Sequence, residues 1–227
     1  MQVRLIDERS DPSQLTRLYD KVIAPSFAPA EREPVERLAS ALAAGSLRGA
    51  VAVDPSGDEV GSLFLEWYAD IRAALLCYFA VRPDLRGRGI GRQLIQVAAP
   101  RWRTELRPHV VYAEAEDPGF HGGVADYGDG DARLRLYAGF GARRLPLRYF
   151  LPELMPGQGR LPHLLLLLVE ADDSVRPTPD TIRGDAVEAF LSRYFARQEG
   201  PPRPDDTDLQ SLLDSCRGDL QLHDLSQ

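Results

Sequence analysis

The 227-residue sequence predicts an α/β (α+β) protein, and three observations support this class. Short segments with the period of a strand alternate with segments whose apolar residues recur at helical spacing. Residues 73–81 are almost all apolar, which is typical of a central strand that is covered on both faces. An Arg/Gly-rich loop follows that strand and leads directly into a predicted helix, an arrangement that favours anion binding.

The predicted elements begin with a strand at residues 3–6, followed by two helices. A hairpin comes next, with strands at residues 50–53 and 60–68 around a turn rich in Asp, Pro and Gly. The helix after the Arg/Gly loop is predicted to start at Ile90. It should end or kink at Pro100, because proline lacks the N–H that a helix interior needs.

The second half of the sequence is predicted to contain a long Gly/Asp-rich loop at residues 117–131. The elements around it are a strand at 110–116, a short helix at 134–138, strands at 143–151 and 161–170, and helices at 182–198 and from 209. Composition changes near residue 170, so we predict a main domain over residues 1–170 and a C-terminal helical extension over residues 171–227. The apolar stripe of the extension packs either against its own domain or against a second copy in a homodimer.

Composition and charge exclude several classes of protein. The formal net charge is −7, which argues against nucleic-acid binding and fits a small cationic or amine substrate. Cys77 and Cys216 are the only cysteines, so a disulfide scaffold is excluded and a cytoplasmic location is expected. No segment has the apolar length of a signal peptide or a membrane span, so no membrane partner is predicted. The aspartates of the long loop lack the spacing of an EF-hand, and no metal is predicted.

The Arg/Gly loop and the start of the following helix predict the class of ligand. This segment comprises Arg86, Gly87, Arg88, Gly89, Ile90, Gly91 and Arg92. Glycines let backbone N–H groups approach an anion closely, the helix N-terminus carries partial positive charge, and the arginines add full charges. The segment therefore predicts a binding site for a pyrophosphate.

Two motifs resemble those of the GCN5-related N-acetyltransferase (GNAT) family. The family loop has the form Q/R-x-x-G-x-G/A, which Arg86, Gly89 and Gly91 match. Tyr137, followed four residues later by Gly141, is similar to the short helix of the family that carries a tyrosine. The resemblance covers roughly residues 3–170 and leaves the C-terminal extension unexplained.

The resemblance implies a GNAT acyl-CoA N-acyltransferase fold. This fold is a mixed sheet of roughly six to seven strands flanked by helices. Its two parallel central strands, here residues 73–81 and 110–116, splay apart at one end.

The resemblance also implies acetyl-CoA as the co-substrate. The pantetheine arm would pair with the backbone of Phe79, Ala80 and Val81, much as an added strand does. The pyrophosphate would lie on the N–H groups between Arg86 and Arg92. A backbone N–H of Phe79, Ala80 or Val81 is the expected donor to the oxyanion.

Tyr137 is the candidate acid for the leaving thiolate, a role that the equivalent tyrosine has in many relatives; simple packing beneath the cofactor is the alternative. Glu114 and Glu116 compete for the role of general base, because alternation places both on one face of a strand. Pairing of both carboxylates with nearby arginines is the alternative. Glu66, late in the hairpin, is a third candidate base. Many relatives carry a glutamate where this sequence has Cys77, whose small side chain is expected to fill the core.

Three residues are candidate contacts to the substrate: Glu66, Asp117 and His121. Asp117 stands near the place where the family frequently has an asparagine. His121 lies in the long loop, where it either contacts substrate or is a solvated loop histidine.

The sequence thus predicts an enzyme that transfers an acetyl group from acetyl-CoA to a primary amine of a small molecule, by direct attack in a ternary complex. A protein lysine or N-terminal acetyltransferase is one alternative and would need a broad, flat substrate groove. A GNAT fold that binds acyl-CoA as a sensor or partner module without catalysis is the other. The absence of a glutamate at Cys77 favours that second alternative.

Overall fold

The computed structural model describes residues 1–120 and 130–225, which form two compact units. Unit 1 comprises residues 1–69 and 74–107, and unit 2 comprises residues 70–73, 108–120 and 130–225. Both units combine β-strands with helices, so the predicted α/β (α+β) class is confirmed.

Unit 1 follows the predicted order of elements closely. Its elements are β1 (Gln2–Ile6), α1 (Pro12–Leu18), α2 (Val35–Ala43), β2 (Leu47–Val53), β3 (Glu59–Tyr68), β4 (Ala73–Val81, of which the first residue is grouped with unit 2) and α3 (Ile90–Leu106). The strands lie in the order β1-β2-β3-β4, and β2 is antiparallel to both of its neighbours.

Helices α1 and α2 cover the apolar core of unit 1. Leu18 and Leu38 are fully buried in one cluster with Phe64 of β3. Helix α3 lies close to β3 because Gly61 has no side chain: a Cβ there would be 3.1 Å from Ile90 and 3.2 Å from Leu94. The start of α3 is therefore fixed firmly against the sheet of unit 1.

Unit 2 contains the remaining elements. They are β5 (Val110–Glu116), α4 (Gly130–Ala138), β6 (Arg143–Arg144), β7 (Tyr149–Leu151), β8 (Leu161–Ala171), β9 (Thr181–Arg183), α5 (Gly184–Glu199), α6 (Thr207–Asp214) and β10 (Asp219–Gln221). Strand β8 pairs antiparallel with β5, β6 and β7, while β9 and β10 form a separate antiparallel pair.

The apolar stripe of the C-terminal extension is buried within unit 2. Tyr112 of β5 stacks on Phe190 of α5 with ring centroids 4.4 Å apart, and Leu191 and Phe195 of the same helix are fully buried. The first of the two predicted alternatives, packing within the chain, therefore accounts for this stripe. The homodimer stays a prediction, as does the domain boundary at residue 170.

Two details of the predicted elements differ from the structure, namely the end of a helix at Pro100, which was one of two predicted alternatives, and a single strand over residues 143–151. Helix α3 does not end at Pro100 but continues to Leu106, because its buried face extends past the proline to Trp102 and tertiary packing outweighs the missing N–H. The strand predicted over residues 143–151 is instead the two strands β6 and β7. Pro146 lies between them and has no N–H to donate to a neighbouring strand. Because of this division, strands β1 to β8 number eight, one more than the six to seven strands predicted for the sheet.

The hydroxyl of Tyr112 gives a prediction about stability. This hydroxyl is fully buried and has no hydrogen-bond partner among the described residues, and burial raises its pKa well above the usual range. Tyr112→Phe removes an unsatisfied polar atom and keeps the ring, so the free energy of unfolding should rise by about 1 kcal/mol.

Chemical denaturation would measure the change, with Tyr149→Phe as the matched control. The Tyr149 hydroxyl donates to Glu114, so its removal should lower stability. A Tyr112→Phe variant that loses as much stability as the control would contradict the assignment.

Candidate active site

Two glycines of the Arg/Gly loop have a backbone conformation that residues with side chains rarely adopt. Gly87 and Gly89 have φ of 76° and 79°, in the left-handed region that glycine adopts without strain. Gly89 is the N-cap of α3 and provides no side-chain cap. The first N–H groups of this 17-residue helix therefore lack both an intrahelical acceptor and a capping side chain.

The arginines around the loop differ in what they contact. Arg88 and Arg92 are exposed. Arg82 forms an ion pair of 2.7 Å with Asp84 and holds the pKa of that carboxyl below its usual value. Arg86 is directed back along the chain, where its Nε donates to the carbonyl of Val81 at 3.2 Å. Arg88 and Arg92 are thus the cations best placed to meet a ligand, while Arg86 braces the loop.

Strand β4 departs from regular geometry just before the three residues predicted to bind the pantetheine arm. Tyr78 has φ of 46°, which is uncommon for a residue with a side chain. Its carbonyl accepts from Ser62 Oγ at 2.8 Å, and its hydroxyl accepts from the backbone N–H of Glu33 at 2.9 Å. Burial, reinforced by the nearby Glu33 carboxylate, raises the pKa of the Tyr78 hydroxyl well above its usual range. Unit 1 therefore holds this irregular point of β4 through contacts on both its backbone and its side chain.

Two further predicted residues lie in unit 1. Glu66 is only 2% exposed and accepts a hydrogen bond of 2.7 Å from the hydroxyl of Tyr68. Cys77 is partly buried and packs against the core of unit 1, in line with its predicted packing role.

Tyr137 lies near the C-terminus of α4 in unit 2 and is 2% exposed. Its carbonyl accepts from the N–H groups of Phe140 at 3.0 Å and Ala142 at 3.1 Å. Gly141 has φ of 81°, a left-handed conformation that is common just after a helix. The spacing of Tyr137 and Gly141 in the sequence thus has a local cause, because the glycine ends the helix that carries the tyrosine.

Glu114 and Glu116 share one face of β5, as predicted, but their surroundings differ. The carboxylate of Glu114 accepts from the hydroxyl of Tyr149 through a short hydrogen bond and from the hydroxyl of Tyr194 at 3.4 Å. Glu116 is half-buried, and within the described residues its carboxylate makes no hydrogen bond or ion pair. Two tyrosines are therefore among the partners of Glu114, and the predicted pairing with arginines stays a prediction.

The contacts of Tyr149 and Tyr194 with Glu114 could not be seen in the sequence. Tyr149 lies in the segment predicted as one strand, and Tyr194 belongs to the apolar stripe of the extension. A tyrosine within an apolar stripe is a weak signal of a polar contact, since its hydroxyl needs a partner when the ring is buried.

Asp117 and His121 were the other candidate substrate contacts. The Oδ1 atom of Asp117 accepts from the backbone N–H of Gly119 at 2.9 Å, a turn-forming contact. His121 lies outside the described residues. The Arg/Gly loop, β4 and Glu66 thus belong to unit 1, whereas Tyr137, Glu114, Glu116 and Asp117 belong to unit 2.

Comparison with protein families identifies the domain. Residues 46–139 match the family model of the acetyltransferase (GNAT) domain, a segment that contains both the Arg/Gly loop and Tyr137. The chain carries a GNAT acetyltransferase domain. The predicted family and the predicted class of enzyme, an N-acetyltransferase, are confirmed. No curated protein sequence matches the chain.

Solved structures share the GNAT fold at low sequence identity. A protein assigned to the GNAT acetyltransferases of Bacteroides thetaiotaomicron is 17% identical with a TM-score of 0.58, over 86% of this chain and 99% of that one. The dodecameric spermidine N-acetyltransferase of Vibrio cholerae is 17% identical with a TM-score of 0.50, over 78% and 98% of the two chains. Ard1 of Thermoplasma volcanium is also 17% identical with a TM-score of 0.50, over 75% and 99%. At these identities the likeness shows the fold alone.

The described residues contain neither a candidate membrane span nor a candidate metal site. None of the helices in the described part of the chain combines the length and the apolar character needed to cross a membrane. Across residues 1–120 and 130–225, no three His, Cys, Asp or Glu side chains are grouped so that they could hold a metal ion.

Proposed function

We propose that the protein transfers the acetyl group of acetyl-CoA to a primary amine of a small molecule, by direct attack in a ternary complex. The observation that carries the donor half of this proposal is the uncapped N-terminus of α3, preceded by two glycines in left-handed conformation. A pyrophosphate is an anion of the size and charge that such a helix start binds. The exposed guanidinium groups of Arg88 and Arg92 add charge at the same place.

Removal of the two loop charges tests the donor half. The double variant Arg88→Gln/Arg92→Gln should bind CoA about 100-fold more weakly, since each lost charge-assisted contact costs about 1.5 kcal/mol and two are lost. Isothermal titration calorimetry measures the change. Arg101→Gln/Arg103→Gln, farther along the same helix, is the matched control and should bind as the wild type does. Equal weakening in both double variants would contradict the proposed pyrophosphate site.

The transfer requires three chemical contributions from residues of the chain. The amine must lose a proton to a base, the oxyanion must receive a hydrogen bond, and the thiolate must receive a proton as the C–S bond breaks. We assign the oxyanion hydrogen bond to a backbone N–H among Phe79, Ala80 and Val81. Tyr137 is assigned the proton for the thiolate, since a phenol both donates and accepts.

Among the candidate bases, we favour Glu116. Its carboxylate has no hydrogen-bond or ion-pair partner in the described residues, whereas that of Glu114 already accepts from Tyr149 and Tyr194. A group that must take a proton from a substrate needs a free lone pair, and Glu116 offers more of them. Glu66 is nearly inaccessible and already accepts from Tyr68, so we do not assign it the role of base.

The two glutamates can be separated by one pair of variants. Glu116→Gln should lower kcat/KM for the amine by about 100-fold, the usual contribution of a general base. Glu114→Gln should change kcat/KM by less than about fivefold but should lower stability, because its tyrosine partners lose a charged acceptor. Steady-state kinetics and thermal unfolding measure both effects. The reverse pattern of activities would identify Glu114 as the base.

A further inference from the structure

Unit 2 contains a cavity of about 510 Å³ beside α4. Its apolar floor is formed by Leu134 and Ala138 of α4, by Leu165 of β8 and by Leu225. The first residues after β5 form another part of the wall. With Arg144 of β6, five separate segments of unit 2 thus meet around one space, which is the usual setting of a small-molecule site.

This cavity lies on the opposite side of β5 from the candidate bases. Leu165 of β8 is paired with Ala115, and directly paired residues of two strands share a face. Glu114 and Glu116 flank Ala115 in the sequence and therefore project from the other face. The cavity therefore lies on the other face of β5 from Glu114 and Glu116, while Asp117, just after that strand, is part of its wall.

The wall of the cavity carries opposite charges that do not neutralise each other. Arg144 of β6 is half-buried and exchanges backbone hydrogen bonds with His223, but its guanidinium makes no hydrogen bond or ion pair within the described residues. Asp131, in the first turn of α4, is exposed, and its carboxylate likewise has no partner among those residues. Both groups line the same space, which is also lined by the charged residues Asp117, Arg135 and Asp224.

We propose that this cavity binds a small zwitterion of dipeptide size, with its carboxylate on Arg144 and its ammonium on Asp131. An Arg–carboxylate pair and an ammonium–carboxylate pair are both charge-assisted contacts, which are about twice as strong as neutral hydrogen bonds. A ligand with one charge satisfies only one side of the cavity. An apolar side chain of the ligand, between its two charges, would cover Leu134 and Leu165, and burial of this apolar surface would increase the affinity.

Three peptides that differ by one charge each test the proposal in the absence of acetyl-CoA. Glycyl-L-leucine carries both charges, N-acetylglycyl-L-leucine lacks the ammonium, and glycyl-L-leucinamide lacks the carboxylate. Calorimetry on the full chain should show one glycyl-L-leucine per chain, with each blocked peptide bound about tenfold more weakly. Absence of glycyl-L-leucine binding, or equal binding of all three peptides, would overturn the proposal.

Variants assign each charge to its partner. Arg144→Gln should weaken glycyl-L-leucine about tenfold and leave glycyl-L-leucinamide unchanged, because the amide has no carboxylate to lose. Asp131→Asn should weaken glycyl-L-leucine about tenfold and leave N-acetylglycyl-L-leucine unchanged, because the N-acetyl peptide has no ammonium to lose. Arg148→Gln, an exposed arginine outside the cavity wall, is the control and should bind as the wild type does. Equal weakening of all peptides by Arg144→Gln would contradict the assignment. Because no acetyl transfer is measured, failure here leaves the proposed transferase activity untouched.

Discussion

Tyr137→Phe should lower kcat by about 100-fold while changing the affinity for acetyl-CoA by less than about threefold. The ring of Tyr137 is 2% exposed, and phenylalanine preserves that packing. Only the hydroxyl is lost, and with it the proton that we assign to the departing thiolate. An interaction made only in the transition state changes kcat without changing substrate binding, which distinguishes this role from packing beneath the cofactor.

The matched control for this experiment is Tyr112→Phe, which makes the same chemical change at another buried tyrosine of unit 2. Since the hydroxyl of Tyr112 has no hydrogen-bond partner in the described part of the chain, its loss should leave kcat unchanged. An unchanged kcat in Tyr137→Phe would remove Tyr137 from the mechanism. A parallel loss of kcat and acetyl-CoA affinity would assign it a packing role instead.

Gly184→Ala should destabilise the folded protein strongly, although it adds only one methyl group. Gly184 starts α5 and donates its N–H to the carbonyl of Gly218 at 2.8 Å. A Cβ at this position would lie 1.7 Å from the carbonyl oxygen of Cys216 and 2.4 Å from that of Gly218. Both obstacles are backbone atoms, so the chain itself must move. We expect a loss of about 3 kcal/mol in the free energy of unfolding, or a fall in Tm of about 6–12 °C.

Gly130→Ala is the control for the effect of the added methyl group. It starts α4, no atom of the described residues lies within 4 Å of a Cβ built there, and no left-handed φ is found at this position. Alanine is a better helix former than glycine, so stability should stay the same or rise by up to about 1 kcal/mol. Equal Tm values for the two variants would show that the contact of Gly184 with Cys216 is not as tight as described.

The sequence was most informative where local chemistry determines local structure. The bounds of β4 and β5 were predicted to the residue, because each is a run of apolar or alternating residues between clear turn signals. The sequence also indicated a glycine-dependent loop after β4, and Gly87 and Gly89 in that loop have the left-handed conformation that glycine adopts without strain.

Contacts between distant segments were beyond the reach of pattern analysis. The hydrogen bonds of Tyr149 and Tyr194 to Glu114 join residues 35 and 80 positions apart in the chain. Helix α3 continues past Pro100 because Trp102 is buried in the tertiary structure, and local helix propensity does not predict that burial. Arg144 and Asp131 line one cavity because of the tertiary structure, and their spacing in the sequence does not indicate that they share a cavity.

Amine-dependent release of thiol from acetyl-CoA tests the central proposal most directly. The purified chain would be incubated with acetyl-CoA and a panel of small primary amines that includes spermidine, with lysine-containing peptides alongside. We predict that at least one small amine produces free CoA and its acetylated product in equal amounts, at a rate that Tyr137→Phe lowers about 100-fold. Turnover of peptides alone would favour the protein-directed alternative. Tight binding of acetyl-CoA with no amine-dependent thiol release across the panel would contradict the proposal and favour an acyl-CoA-binding module.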